Sequence, residues 1–171
     1  MSTLRVDTIL GESGAERRGL MTYAIICDEK DHNVDGGTFT AGAWRTRTLN
    51  TKIADPDNIV SISASNDQFT LNAGSYLIEA SAPFYQVGRS QLRLYNATDT
   101  SVVQYGANAY CGNTGGVHGN ALLFVRVTIT ASTVFEIQHR GQVDKATIGF
   151  GLDNNFGETS IYTVVKIFKE A

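Results

Sequence analysis

The chain is poor in the features that most often declare a function. Two cysteines in 171 residues are too few for a disulfide framework. Cys27 ends the apolar stretch "TYAIIC" and reads as a buried thiol, and Cys111 lies in a loop, so a bridge between them stays open. No apolar run approaches the roughly 20 residues that span a bilayer, and the opening "MSTLRVDTIL" has no apolar core of export-signal length. The expectation is synthesis in a cytoplasm and no membrane insertion. Basic residues are not in excess: 14 Lys and Arg face 17 Asp and Glu, for a net charge of −3, which argues against nucleic acid as a partner. Charged residues reach only 18%, below the roughly 25% of an ordinary soluble domain. A surface so thinly charged is expected to be covered in part by other subunits.

Catalytic signatures are missing as well. There is no G-x-S-x-G, and the sequence assembles no Ser/His/Asp set. The glycine-rich "GNTGGVHGN" (112–120) lacks the G-K-[ST] ending of a phosphate loop, and no helical pattern follows it. The three histidines are too far apart for a metal-binding spacing, and "DEKDH" (28–32) reads as a solvated loop. Asp144, Asp153, Asn154, Asn155 and Glu158 offer oxygen ligands that would suit calcium, but the same residues are ordinary turn formers. No catalytic residue, metal site or cofactor is therefore assigned, and the chain is expected not to be an enzyme.

What the sequence has is strands. Two prolines and 17 glycines fit a β protein with tight turns. About ten segments rich in Val, Ile, Thr, Tyr and Phe follow one another at 20–28, 43–49, 59–64, 68–71, 75–84, 91–97, 101–106, 121–130, 133–140 and 159–170. Turn signals such as "DPDN" and "NATDT" separate them. This predicts an all-β antiparallel sandwich or jelly roll. "FTLNAGSYLIEASA" (69–82) reads as two strands around the turn Asn72-Ala73-Gly74.

Several strands are apolar on both faces. Alternation puts Tyr76, Ile78, Ala80 and Ala82 on one side and Leu77 on the other. "ALLFVRV" sets Leu122, Phe124 and Arg126 against Leu123, Val125 and Val127. "IYTVVKIFK" sets Tyr162, Val164 and Phe168 against Ile161, Thr163, Val165 and Ile167. A sandwich needs one apolar face per sheet, so the surplus must be covered, and symmetric self-association is the commonest way.

Residues 1–19 differ from the rest. "LRVDTI" is a short strand pattern, and "GESGAERRG" is a glycine-containing charged linker. So short a strand does not stand alone. Either it is disordered or it adds to another protein's sheet; the expectation is the latter, through Leu4, Val6 and Ile9, as an N-terminal docking arm ahead of a domain spanning 20–171.

The order of "GGTFTAGAWRTRTLNT" (36–51), "FTLNAGSYLIEASA" (69–82), "QLRLYNATDTSVVQYG" (91–106), "VTITASTVFEIQH" (127–139) and "IYTVVKIFKE" (161–170) resembles the C1q/TNF-like jelly roll, over roughly residues 20–171. In that resemblance the fourth segment corresponds to the hairpin before the closing strand. Members of the family form homotrimers, which would bury Leu77, Tyr162, Val164 and Phe168 between subunits. The opening "MSTLRVDTI" looks like the start of many small tailed-phage virion proteins, whose jelly-roll trimers serve as fibre tips or surface decorations. The resemblance implies a virion protein made in the host cytoplasm and docked to other virion proteins by its arm. As a tail-fibre or spike tip it would touch a host-surface glycan; the alternative is a capsid-decoration trimer that stabilises the head shell. Loop aromatics beside amides suit sugar recognition, and the candidates are Tyr105, Asn108 and Tyr110 in one loop and Asp153, Asn155 and Phe156 in another.

Overall fold

A computed structural model describes residues 22–170. The expected arm residues Leu4, Val6 and Ile9 lie outside the described residues. Twelve strands follow in order: β1 (Thr22–Lys30), β2 (Arg45–Thr46), β3 (Thr51–Ala54), β4 (Val60–Ile62), β5 (Phe69–Leu71), β6 (Gly74–Tyr85), β7 (Arg89–Asn96), β8 (Ser101–Tyr105), β9 (Ala109–Tyr110), β10 (His118–Ile129), β11 (Thr133–Gly141) and β12 (Ser160–Lys169). Every pairing between them is antiparallel. One sheet has the order β10-β6-β12-β1-β3; the other runs β4-β5-β11-β7-β8, with β2 on β11 and β9 on β7. The two short strands β3 and β9 were not among the expected segments.

Alternation explains the two layers. On β6, Tyr76, Ile78, Ala80, Ala82 and Phe84 are buried while Leu77 points out. On β7, Ser90, Leu92, Leu94 and Asn96 are buried, and Arg89, Gln91, Arg93 and Tyr95 take the other side. The inward sets meet in one core that includes Phe39, Phe69, Phe84 and Phe135. Each such side chain contributes about 1.5–3 kcal/mol by leaving water.

Two expected strand–turn–strand segments, one of them expected as a hairpin, cross between the sheets. Residues 69–82 do form two strands around a turn, but β5 belongs to one sheet and β6 to the other. The same holds for β10 and β11. In a jelly roll a tight turn can carry the chain over the edge of the sandwich, and local sequence does not distinguish that from a hairpin. At the β8–β10 edge, the connector closes the sandwich: Gly106 N–H donates to Leu92 O on one sheet and Ala107 N–H to Leu122 O on the other. A Cβ on Gly106 would sit 2.3 Å from Leu122 O, so only glycine fits that crossing.

The β12 pattern needs one correction. Ile161 is exposed and Tyr162 is only 5% exposed, the reverse of the expected faces. A register shift between Cys27 and Glu29 of β1 disturbs the alternation at this point. The Tyr162 hydroxyl donates to Val34 O at 2.8 Å. Its ring lies where a Cβ on Gly151 (φ +134°) would fall, 2.5 Å away. Tyr162 is thus covered by its own chain and leaves the set of subunit-interface candidates.

Candidate functional site

The outer faces of the two sheets have opposite chemistry. On the five-stranded sheet, the register aligns rows across β10, β6 and β12: Leu122–Ser81–Val164, Phe124–Glu79–Lys166 and Arg126–Leu77–Phe168. Ile25 and Tyr23 continue the last two rows onto β1. Phe124 is 60% exposed and Leu77 41%, while Val164 and Phe168 are half-buried. The charges in these rows are matched within the face. Lys166 lies 3.5 Å from Glu79, and Arg126 forms a two-armed pair with Glu170 at 2.6 and 2.7 Å. What remains is an apolar surface with little net charge.

The seven-stranded sheet carries amides, arginines and aromatics outward. The Arg93 guanidinium packs on Trp44 (4.4 Å) and Tyr95 (4.9 Å), and its Nε donates to Gln138 Oε1 at 2.7 Å. Trp44 also leans on Tyr105, with ring centroids 5.8 Å apart. Further along, Arg89, Ser90, Gln91, Asn108, Arg140, Gly141 and Gln142 line a cleft of about 240 Å³. Gln91 Nε2 donates to Asn108 Oδ1 (3.1 Å) and to Gly106 O (3.0 Å), which fixes the wall made by the β8–β9 connector. Gln142 Oε1 accepts from the Arg89 backbone N–H at 3.3 Å. Tyr110, opposite Arg89 in the ladder, is 70% exposed beside it.

Under the cleft is a polar pair that sequence reading did not assemble. Ser90 Oγ is hydrogen-bonded to His139 Nε2, and both are buried. Phe39 and Phe84 meet the imidazole edge-on and Phe150 stacks on it. Burial, reinforced by the nearby Arg47 charge, drives the His139 pKa well below the usual histidine range. Among the described residues no protein group partners its Nδ1. Arg47 is equally buried. Its Nε donates to Thr163 Oγ1 (2.8 Å), its Nη2 donates to Phe150 O (2.9 Å), and its guanidinium covers the Phe150 ring at 4.3 Å. Burial pushes it down to about 9, against the opposing pull of Asp28.

Tyr105 ends β8, Tyr110 lies in β9 and Asn108 joins them, so these three share the polar sheet's outer face. The loop of Asp153, Asn155 and Phe156 sits over the start of β12. Connectivity puts it at the same end of the sandwich as the cleft, since β6 enters that end and β7 leaves it through residues 86–88. Asp153 is occupied by its own loop. It accepts from the Ser160 hydroxyl and from Asn155 N–H (2.8 Å), and the Ser160 bond chiefly holds its carboxyl below the usual range. Asn154 likewise caps Phe156 N–H at 3.0 Å. Phe156 itself is 82% exposed. Cys27 and Cys111 are both free and buried, and burial pushes the Cys27 thiol up to about 11. Among the described residues no three His, Cys, Asp or Glu side chains are gathered as metal ligands.

The strand order and the two-layer core match known architectures. The globular domain of zebrafish complement 1qA protein aligns with TM-score 0.55 at 15% identity, covering 86% of this chain and 96% of that one. Eiger TNF from S. frugiperda aligns with TM-score 0.57 at 11% identity, over 90% and 94%. The fold is a C1q/TNF-like jelly roll. The PRD1 vertex protein P5 shares it, with TM-score 0.55 at 14% identity over 90% of this chain and 99% of that one. No family model matches the chain, and no curated protein matches it.

Sequence reading missed Trp44, Arg89, Arg93 and Arg140. The pattern Arg89, Gln91, Arg93, Tyr95 at every second position of β7 was the available signal. It marks a polar, ring-bearing face once the strand's inward set is known.

Proposed function

We propose that this chain is a non-enzymatic structural protein of a tailed-phage virion. It forms a homotrimeric head held by its N-terminal arm, and serves as a fibre or spike tip that touches host-surface glycan. The observation that carries the reading is the contrast between the outer faces. The apolar, charge-matched face of Leu77, Leu122, Phe124, Val164 and Phe168 suits a second copy of the chain, as in the trimeric family its sequence resembles. The arginine, amide and aromatic face of the other sheet stays outward for a ligand. The fold shared with a phage vertex protein supports a place on a virion.

The same vertex-protein likeness favours a second reading, a trimer that decorates the capsid. Both readings share the assembly and differ in where it sits. Immunogold labelling of intact particles separates them: gold at the tail supports the fibre tip, and gold on the head supports the decoration. Labelling of neither removes the virion assignment.

A further inference from the structure

We propose that the cleft between Arg89 and Arg140 binds an acidic sugar, taking its oxyanion between the two guanidinium groups. The proposal rests on the adhesin reading for its choice of a glycan, and on the cleft for the charge and geometry of the ligand. Arg140 stands opposite Gln91 in the β7–β11 ladder, and Arg89 is two residues before Gln91 on the same face. Diagonal neighbours of this kind lie roughly 7–8 Å apart, with their Cβ atoms somewhat closer, so two long side chains can converge on one anion. Among the described residues no carboxylate pairs with either guanidinium, although four ion pairs form elsewhere. The cleft lining contains no Asp or Glu at all. In a chain with a net acidic charge, two neighbouring unpaired arginines form a local positive site that the fold does not use for itself.

The rest of the lining suits a sugar. The side chains of Gln91, Asn108 and Gln142 supply amide donors and acceptors for hydroxyl groups. They are already held by hydrogen bonds to one another and to backbone, so little side-chain entropy is lost on binding. Exposed Tyr110 offers a ring face beside Arg89 for the apolar side of a pyranose. Arginine holds a carboxylate or phosphate with two parallel N–H···O bonds. The shared chemistry is therefore an oxyanion on a sugar, from a uronic acid or from a sugar phosphate.

Saturation-transfer NMR on the full chain tests this with four probes: glucuronic acid, glucose 1-phosphate, glucose and inorganic phosphate. At least one sugar acid is expected to bind more tightly than glucose, and which acid wins identifies the source of the anion. Arg89→Gln and Arg140→Gln should each weaken it about tenfold. Both residues are exposed, so melting temperature and assembly should stay unchanged. Equal binding of glucose and the acids overturns the charged site. Phosphate binding as well as glucose 1-phosphate, with glucuronic acid silent, means an adventitious ion only and also overturns it, as does the absence of any binding. Adsorption of the chain to host cells separates the two levels of inference. Adsorption that both substitutions leave untouched removes the cleft and keeps the adhesin. Probe binding without adsorption keeps the cleft and removes the adhesin. Adsorption lost on substitution supports both.

Discussion

His139 is the residue whose charge the fold can least accommodate. Phe39, Phe84, Phe150 and Ser90 surround it, Arg47 repels a proton, and among the described residues no carboxylate offsets that repulsion. The unfolded chain takes up that proton near pH 6.5, whereas the folded chain resists until well below it. The folded pKa of this base is depressed, so its contribution is complete above pH 6.5 and is lost as pH falls from there toward the folded value. The loss approaches about 1.4 kcal/mol per pH unit at its steepest. Melting temperature should therefore drop between pH 7 and pH 5, and His139→Gln should flatten that slope; equal slopes for the two chains would refute the assignment. None of this was legible in the sequence, where Ser90 and His139 are 49 positions apart and sit in unremarkable strands. Only the β7–β11 register brings them together.

At the scale of elements, strand existence and facing were readable because alternation is a local property. Leu77, Leu122 and Phe124 point away from the core as their patterns require. Which sheet each strand joins was not readable, because β5 with β6 and β10 with β11 pass from sheet to sheet through turns that look like hairpin turns. Tyr162 was misplaced because β12 itself carries the extra residue of the register shift, three positions from Val164 to Ile161 against two from Cys27 to Glu29, and strict alternation does not anticipate a bulge. The outward residues of the five-stranded sheet make a specific forecast. Phe124 is largely exposed in the single chain, so Phe124→Asp should leave the circular dichroism spectrum intact while splitting the oligomer. A buried unpaired carboxylate costs several kcal/mol in each copy. An oligomer that survives the change would exclude this face from the contact. The expected docking arm is separable in the same way. Deleting residues 2–10 should leave the melting temperature of the head nearly unchanged and sharply lower incorporation into particles. Unfolding on deletion would make the arm part of the jelly roll.

Across the whole molecule, the two sheets of one sandwich turn different chemistry outward, and the proposal gives them different neighbours. A copy of the chain suits the apolar side, and a ligand with hydroxyl groups and an anion suits the polar side. The low charge content pointed to covered surface, but only the assembled sheet shows that the uncovered apolar residues form aligned rows on one layer. The polar face was half legible. Tyr105, Asn108 and Tyr110 do share it, while its arginines come from β7 and β11, strands distant in sequence. The proposed division of faces implies self-association, and multi-angle light scattering of the full chain near neutral pH tests that most directly. The expected result is a single species with the mass of three chains, persisting on dilution into the low micromolar range. A monodisperse monomer would contradict the account.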